Sequence, residues 1–400
     1  MFNILVLLTL LYHGVFCNSL VTSTVTPTTY QLTSSPKYSG YYFLNKLHLT
    51  EPCTTFHPTE PLHNSSFDPC LFNVQFVDGS VVAGHLSFFT PTTPNILPFQ
   101  PSDPFIFSLA NLDLLSIPTD SLTGILGIGS PSLDPCVDGC YGSSVLPLLL
   151  NHSSSLLAFC FGRSIGELMI GDVNFELVAS PFDFVRLLDQ SGFVAEMKDV
   201  LISKKRFLTY DGQFKLIFDT GARDMLLTRD VFEELHQFFI KHYSHLIGIS
   251  QSRSLFDGFC FEIHSRHVNS FPEITIVFDT FSLKIPPSNY LVTQIDNGIL
   301  SHCLAIKPVD SLEYSSNTFI VGSLVLISYY VTVDLDHLRL GFALKADENC
   351  GVDDTFDCPM NCRGRGECYY GICICTYGWQ GETCQELRIT TYIQLALFLF

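Results

Sequence analysis

Between Lys37 and Leu344 the chain is written as short apolar or alternating runs, such as Phe72-Asn73-Val74-Gln75-Phe76 and Glu273-Ile274-Thr275-Ile276-Val277-Phe278, each cut off by Gly, Pro, Asn or Asp. No other feature constrains the fold as much. Runs this short suit strands rather than helices, so the chain must be assembled from many β-strands. The one helical stretch is Asp230 to Tyr243, where Val231, Leu235, Phe238 and Phe239 return near the 3.6-residue period behind a cap at Thr228. With 35 Phe and 16 Tyr against only 15% charged residues, the composition is that of an all-β globular protein with ample chain for a large core.

The formal charge of −18 would repel phosphate backbones, so nucleic acid is not an expected partner. Residues 1–17 carry the apolar run Ile4 to Leu8 ahead of small and polar residues and read as a secretory signal, with a buried N-terminal strand as the alternative. Removing Cys17 with that segment leaves an even number of the 15 cysteines, as disulfides in an oxidising compartment require. Asn64 and Asn151 lie in glycosylation sequons, which agrees with secretion or display at the cell surface. Residues 18–36 are rich in Ser and Thr, lack strand or helix periodicity, and read as a leader that is either O-glycosylated or plain linker.

Beyond Asn349 the composition turns abruptly to Cys and Gly. Cys358, Cys362, Cys368, Cys373, Cys375 and Cys384 are spaced C-x3-C-x5-C-x4-C-x-C-x8-C, with Gly378-Trp379-Gln380-Gly381 before the last. Residues 356–385 resemble an epidermal-growth-factor-like module of the tenascin kind. That resemblance implies pairing of Cys358 with Cys368, Cys362 with Cys373 and Cys375 with Cys384, staples that a core of about thirty residues needs. The acidic pattern of calcium-binding members is not clearly present, and no metal or cofactor is assigned. Residues 389–400 are apolar and uncharged, but a helix of that length rises about 18 Å against a hydrocarbon core of about 30 Å. The tail is therefore part of a lipid-anchor signal, the start of a membrane helix, or a frayed apolar end.

The chemistry sits in Phe214-Lys215-Leu216-Ile217-Phe218-Asp219-Thr220-Gly221-Ala222, an Asp-Thr-Gly turn directly behind an apolar strand. Further on come Phe319-Ile320-Val321-Gly322-Ser323 and Arg339-Leu340-Gly341-Phe342-Ala343. Together with Phe271-Pro272, Ile285-Pro286-Pro287-Ser288-Asn289-Tyr290 and the Cys260 and Cys303 pair, these resemble the C-terminal lobe of pepsin-like aspartic endopeptidases, here residues 180–348. Residues 37–179 resemble the N-terminal lobe. Phe76, Asp78 and Gly79 fall in the flap that closes over a peptide, Gly124 to Gly129 match the apolar-apolar-Gly support, and Gly166 to Asp172 match the closing strand. The resemblance implies a bilobal fold working as a monomer on peptide or protein substrates, with Asp219 catalytic and Thr220 and Gly221 supporting it.

One element of that pattern is missing. Where relatives carry a first Asp-Thr-Gly, Tyr41 to Leu49 runs straight into Thr50-Glu51-Pro52-Cys53, and no Asp occurs between Lys37 and Phe67. The N-terminal lobe is therefore expected to be incomplete. Enzymes of this kind hold two carboxylates that share one proton, so that one activates water while the other protonates the scissile carbonyl. With Asp219 alone, the chain is expected to be impaired as a peptidase. The alternative is a non-catalytic peptide- or protein-binding pseudoprotease, with the terminal module contacting a cell-surface or matrix protein. The pairing of Cys53, Cys70, Cys136, Cys140, Cys160 and Cys350 is left open.

Overall fold

Phe214 to Phe218 shows how the core is built. Phe214, Leu216, Ile217 and Phe218 are all buried, so this strand is covered on both faces, as the middle of a layered sheet must be. A computed structural model describes residues 155–162, 165–188, 193–208, 214–263, 265–309, 317–348, 350–351, 357–369, 371–376 and 378–388, and before them seven strands as backbone alone: Ile4–Leu7, Thr28–Ser35, Tyr38–Leu44, Leu71–Gln75, Val81–Phe89, Phe105–Leu114 and Gly124–Gly127. Strands dominate and helices are few.

Three sheets organise the region after Ser155. A five-stranded sheet runs in the order Val194–Met197, Phe214–Phe218, Thr318–Val321, Met225–Thr228, Ile306–Val309. A four-stranded sheet places Asp199–Ile202 between Lys205–Arg206 and Ile274–Val277, with Ser282–Ile285 outermost. The third sheet has nine strands, and in it Tyr329–Asp334 is flanked by Arg339–Leu344 and Leu156–Phe161. One apolar core runs through all three, and Phe342 packs against the rings of Phe218, Phe281 and Tyr329.

The helix Arg229–Tyr243 buries Val231, Phe232, Leu235 and Phe239 against that core, with Phe238 half-covered beside them. Asp230 in its first turn and Lys241 and His242 in its last complement the helix dipole. Thr228 holds the cap position but its side chain makes no capping hydrogen bond, contrary to the sequence expectation. Its own strand, Met225–Thr228, already commits it to the sheet.

One N-terminal reading needs revision. Thr28–Ser35, expected to be unstructured leader, is a strand between Tyr38–Leu44 and Ile165–Ile170. Its Thr and Tyr content suits a pleated strand even without alternation, and pairing on both edges supplies the partners that the periodicity did not advertise. Ile4–Leu7, inside the segment read as a secretory signal, runs parallel to Gly124–Gly127 with Ile4 opposite Gly124 and Leu7 opposite Gly127.

The C-terminal residues form a small disulfide-rich module. Its bonds are Cys358–Cys368, Cys362–Cys373 and Cys375–Cys384, the same pairs the resemblance implies. Cys362, Cys373 and Cys384 make most of its interior, and Arg365 lies 3.7 Å over the Trp379 ring. A further bond, Cys160–Cys350, ties Leu156–Phe161 to the segment behind Arg339–Leu344. Nothing in the spacing of those two cysteines announced it.

Candidate functional site

Asp219 stands at the end of Phe214–Phe218, where the backbone leaves the sheet. That strand runs parallel to Thr318–Val321, with Phe218 opposite Val321, and the Asp219 N–H donates to the Val321 carbonyl at 3.0 Å. The last sheet bond therefore fixes the aspartate itself. On the other side of Thr318–Val321 runs Met225–Thr228, antiparallel to it, so the Asp219 to Asp224 loop crosses over the end of the intervening strand.

Hydrogen bonds hold the loop. The Gly221 N–H donates to the Asp219 carboxylate at 2.8 Å, and the Ala222 N–H to the Asp219 carbonyl at 3.1 Å. Ser323 N–H then donates to the Ala222 carbonyl at 2.9 Å, joining the loop to the turn Ser323–Leu326. Gly322 makes that approach feasible. A Cβ there would lie 2.5 and 2.6 Å from the carbonyl oxygens of Arg223 and Ala222, and closer still to that of Asp224. The apolar-apolar-Gly pattern thus has a direct physical basis: only a residue without a side chain lets the loop sit on the strand end.

Asp219 is buried, 4% exposed, and Thr220 is 9% exposed. Beside them Arg223 donates from Nε to the Asp224 carboxylate at 2.6 Å, a pair that sequence reasoning passed over because adjacent charges are usually solvated separately. Phe76, Asp78 and Gly79 lie outside the described residues, although their flanking strands Leu71–Gln75 and Val81–Phe89 pair as an antiparallel hairpin. Asn64, Asn151, Cys53, Cys70, Cys136, Cys140 and residues 389–400 also lie outside them. Cys260 and Cys303 are bonded, linking the segment after Gly258 to the hairpin strand Ile299–Leu304.

A buried carboxylate on a rigid loop can accept or deliver one proton at a time. The only described cluster with metal-ligand spacing is Cys358, Cys362 and Cys373, and each of these sulfurs is spent in a disulfide. Among the described residues no helix is long and apolar enough to cross a membrane.

Residues 194–344, the span that carries this loop, match the protein family described as Xylanase inhibitor C-terminal. Gastricsin of Macaca fuscata fuscata is 22% identical over 309 residues, covering 74% of this chain and 75% of that protein. The relationship is to the pepsin-like aspartic proteases, at low identity. A substrate-adhesion molecule of Dictyostelium discoideum is 52% identical over 29 residues, 7% of this chain and 3% of that protein's length.

Proposed function

We propose that this chain is a secreted pepsin-like protein that holds peptide or protein segments at the Asp219 loop and hydrolyses them poorly or not at all. The observation that carries this reading is a fully formed aspartate loop in a sequence with a single Asp-Thr-Gly. General acid or base catalysis supplies about 10²–10⁴ in rate, so losing one of the two roles is expected to cost a factor of that order. The inhibitor name of the matched family supports retention of such a lobe for binding. The EGF-like reading of the terminal module, with the short similarity to an adhesion molecule, supports contact with a surface or matrix protein.

An acid proteinase assay on the purified chain, with pepstatin as control, tests this. Turnover should match the blank, and Asp219→Asn should leave it there. Pepstatin-sensitive turnover that Asp219→Asn abolishes would overturn the proposal. Export is tested by N-terminal sequencing of secreted protein, which should begin at or after Asn18.

A second reading rests on the seam at Leu49-Thr50: the other N-terminal elements match in order, so the chain is an incomplete product whose missing segment held the first aspartate. Sequencing transcripts across those codons decides it, and finding no Asp-Thr-Gly-bearing segment in any of them would end it.

A further inference from the structure

The hairpin Leu291–Asp296 and Ile299–Leu304 turns on Asn297-Gly298, the only Asn-Gly in the chain. Asp296 lies opposite Ile299, so these two residues are the whole loop, and both have positive φ, 51° and 77°. Asn followed by Gly suits that left-handed geometry best. The turn also docks the disulfide-rich module. The Gly381 N–H donates to the Asn297 carbonyl at 2.6 Å and the Cys375 N–H to the Gly298 carbonyl at 2.8 Å, while Arg388 forms a two-pronged pair with Glu262.

The same two residues are a reactive pair. Attack of the Gly298 nitrogen on the Asn297 side-chain carbonyl carbon closes a five-membered imide, and Gly298 has no side chain to obstruct the approach. Asn297 is exposed, so water reaches its amide, and neither that amide nor the Gly298 N–H makes a hydrogen bond among the described residues. In the first step the new C–N bond forms and the amide nitrogen leaves as ammonia with the Gly298 proton. Water then opens the imide. Opening at the side-chain carbonyl leaves aspartate on the original main chain. Opening at the main-chain carbonyl leaves isoaspartate, whose main chain runs through the former side-chain carbon, is longer by one carbon, and carries the former main-chain carbonyl as a free carboxylate. Water is the one co-reactant, and nothing is oxidised or reduced.

Isoaspartate is incompatible with the docked turn. The carbonyl that Gly381 uses leaves the backbone, and the Gly298 carbonyl shifts with the added carbon. The two donors cannot follow, because Cys375 and Gly381 lie in the loop closed by the Cys375–Cys384 bond. The new carboxylate also stands between Asp296 and the Gly381-Glu382 segment, in a chain whose net charge is already −18.

We propose that Asn297-Gly298 is a deamidation site and that its isoaspartyl product releases the terminal module from the lobe. The inference is independent of whether Asp219 catalyses anything. To test it, the full chain is incubated in mildly alkaline buffer at physiological temperature, beside the same chain unfolded in urea as a reaction clock. Peptide mapping of the folded chain should find Asn297 converted, with isoaspartate as the larger product. In the converted chain, amide exchange at Cys375 and Gly381 should run about tenfold faster, as the loss of about one hydrogen bond's contribution requires. Repair with isoaspartyl methyltransferase and S-adenosylmethionine should restore slow exchange. Asn297→Gly keeps a compatible turn and both carbonyls but has no side-chain amide, so it should stay docked through the incubation. If that variant docks poorly from the start, the repair experiment carries the test. The proposal is overturned by an intact Asn297 in the folded chain over the interval in which the unfolded chain converts, or by aspartate as the sole product. Unchanged exchange in the converted chain, exchange that stays fast after repair, or equal loosening of a docked Asn297→Gly on incubation also overturns it.

Discussion

Gly322 touches the chemistry without taking part in it. A methyl group there would meet three loop carbonyls at once, none of which is a flexible side-chain end. Gly322→Ala should therefore destabilise the chain by about 1–3 kcal/mol, read by denaturant unfolding, through overpacking. Tyr330 offers a residue-level test of a different kind. It is buried, its hydroxyl accepts the Asn174 N–H at 3.0 Å, and burial raises its pKa to about 12. Below about pH 10 the folded and unfolded states both keep the phenolic proton, so its contribution is fully present. As pH rises from there through the folded value, the unfolded state loses the proton first and stability falls. Tyr330→Phe should cost about 1 kcal/mol near neutrality and flatten that alkaline decline, as pH-dependent melts would show.

The hairpin Leu291–Asp296 and Ile299–Leu304 meets the disulfide-rich module. Its turn, Asn297-Gly298, has φ of 51° and 77°, the left-handed geometry of a tight two-residue hairpin, and it offers both carbonyls to the module's backbone. A Cβ on Gly298 would lie 2.7 Å from the Gly381 carbonyl and press on the Cys375 sulfur, so side-chain-free geometry is needed twice over. The Arg388 hydrogen bond to Glu262 holds that carboxyl below the usual glutamate range. Its contribution is present above the unfolded pKa and is lost as pH falls through the lower folded value. Docking should thus loosen below about pH 4, seen as faster amide exchange at Cys375 and Gly381, and Arg388→Ala should remove that pH dependence. The Asn-Gly turn and the cysteine spacing can be read locally. That the turn would seat itself on the module could not be, because both carbonyls look like any others in the sequence.

Across the whole molecule, Cys160–Cys350 joins positions separated by 190 residues. Closing so long a loop restricts the unfolded chain by an amount worth about 5 kcal/mol in the chain-entropy model. Replacing both cysteines by alanine should lower the melting temperature far more than any surface substitution while leaving the six module cysteines paired, as peptide mapping would show. The all-β character, the helix near Asp230 and the aspartate loop with its glycine support were legible beforehand, because each depends on residues a few positions apart: alternation, turn chemistry and spacing. The strand Thr28–Ser35, the place of Ile4–Leu7 beside Gly124–Gly127 and the Cys160–Cys350 bond were not. Each of these depends on which distant segments come together, and a pairing partner or a buried wall leaves no mark on the residues that will meet it until the chain closes on itself.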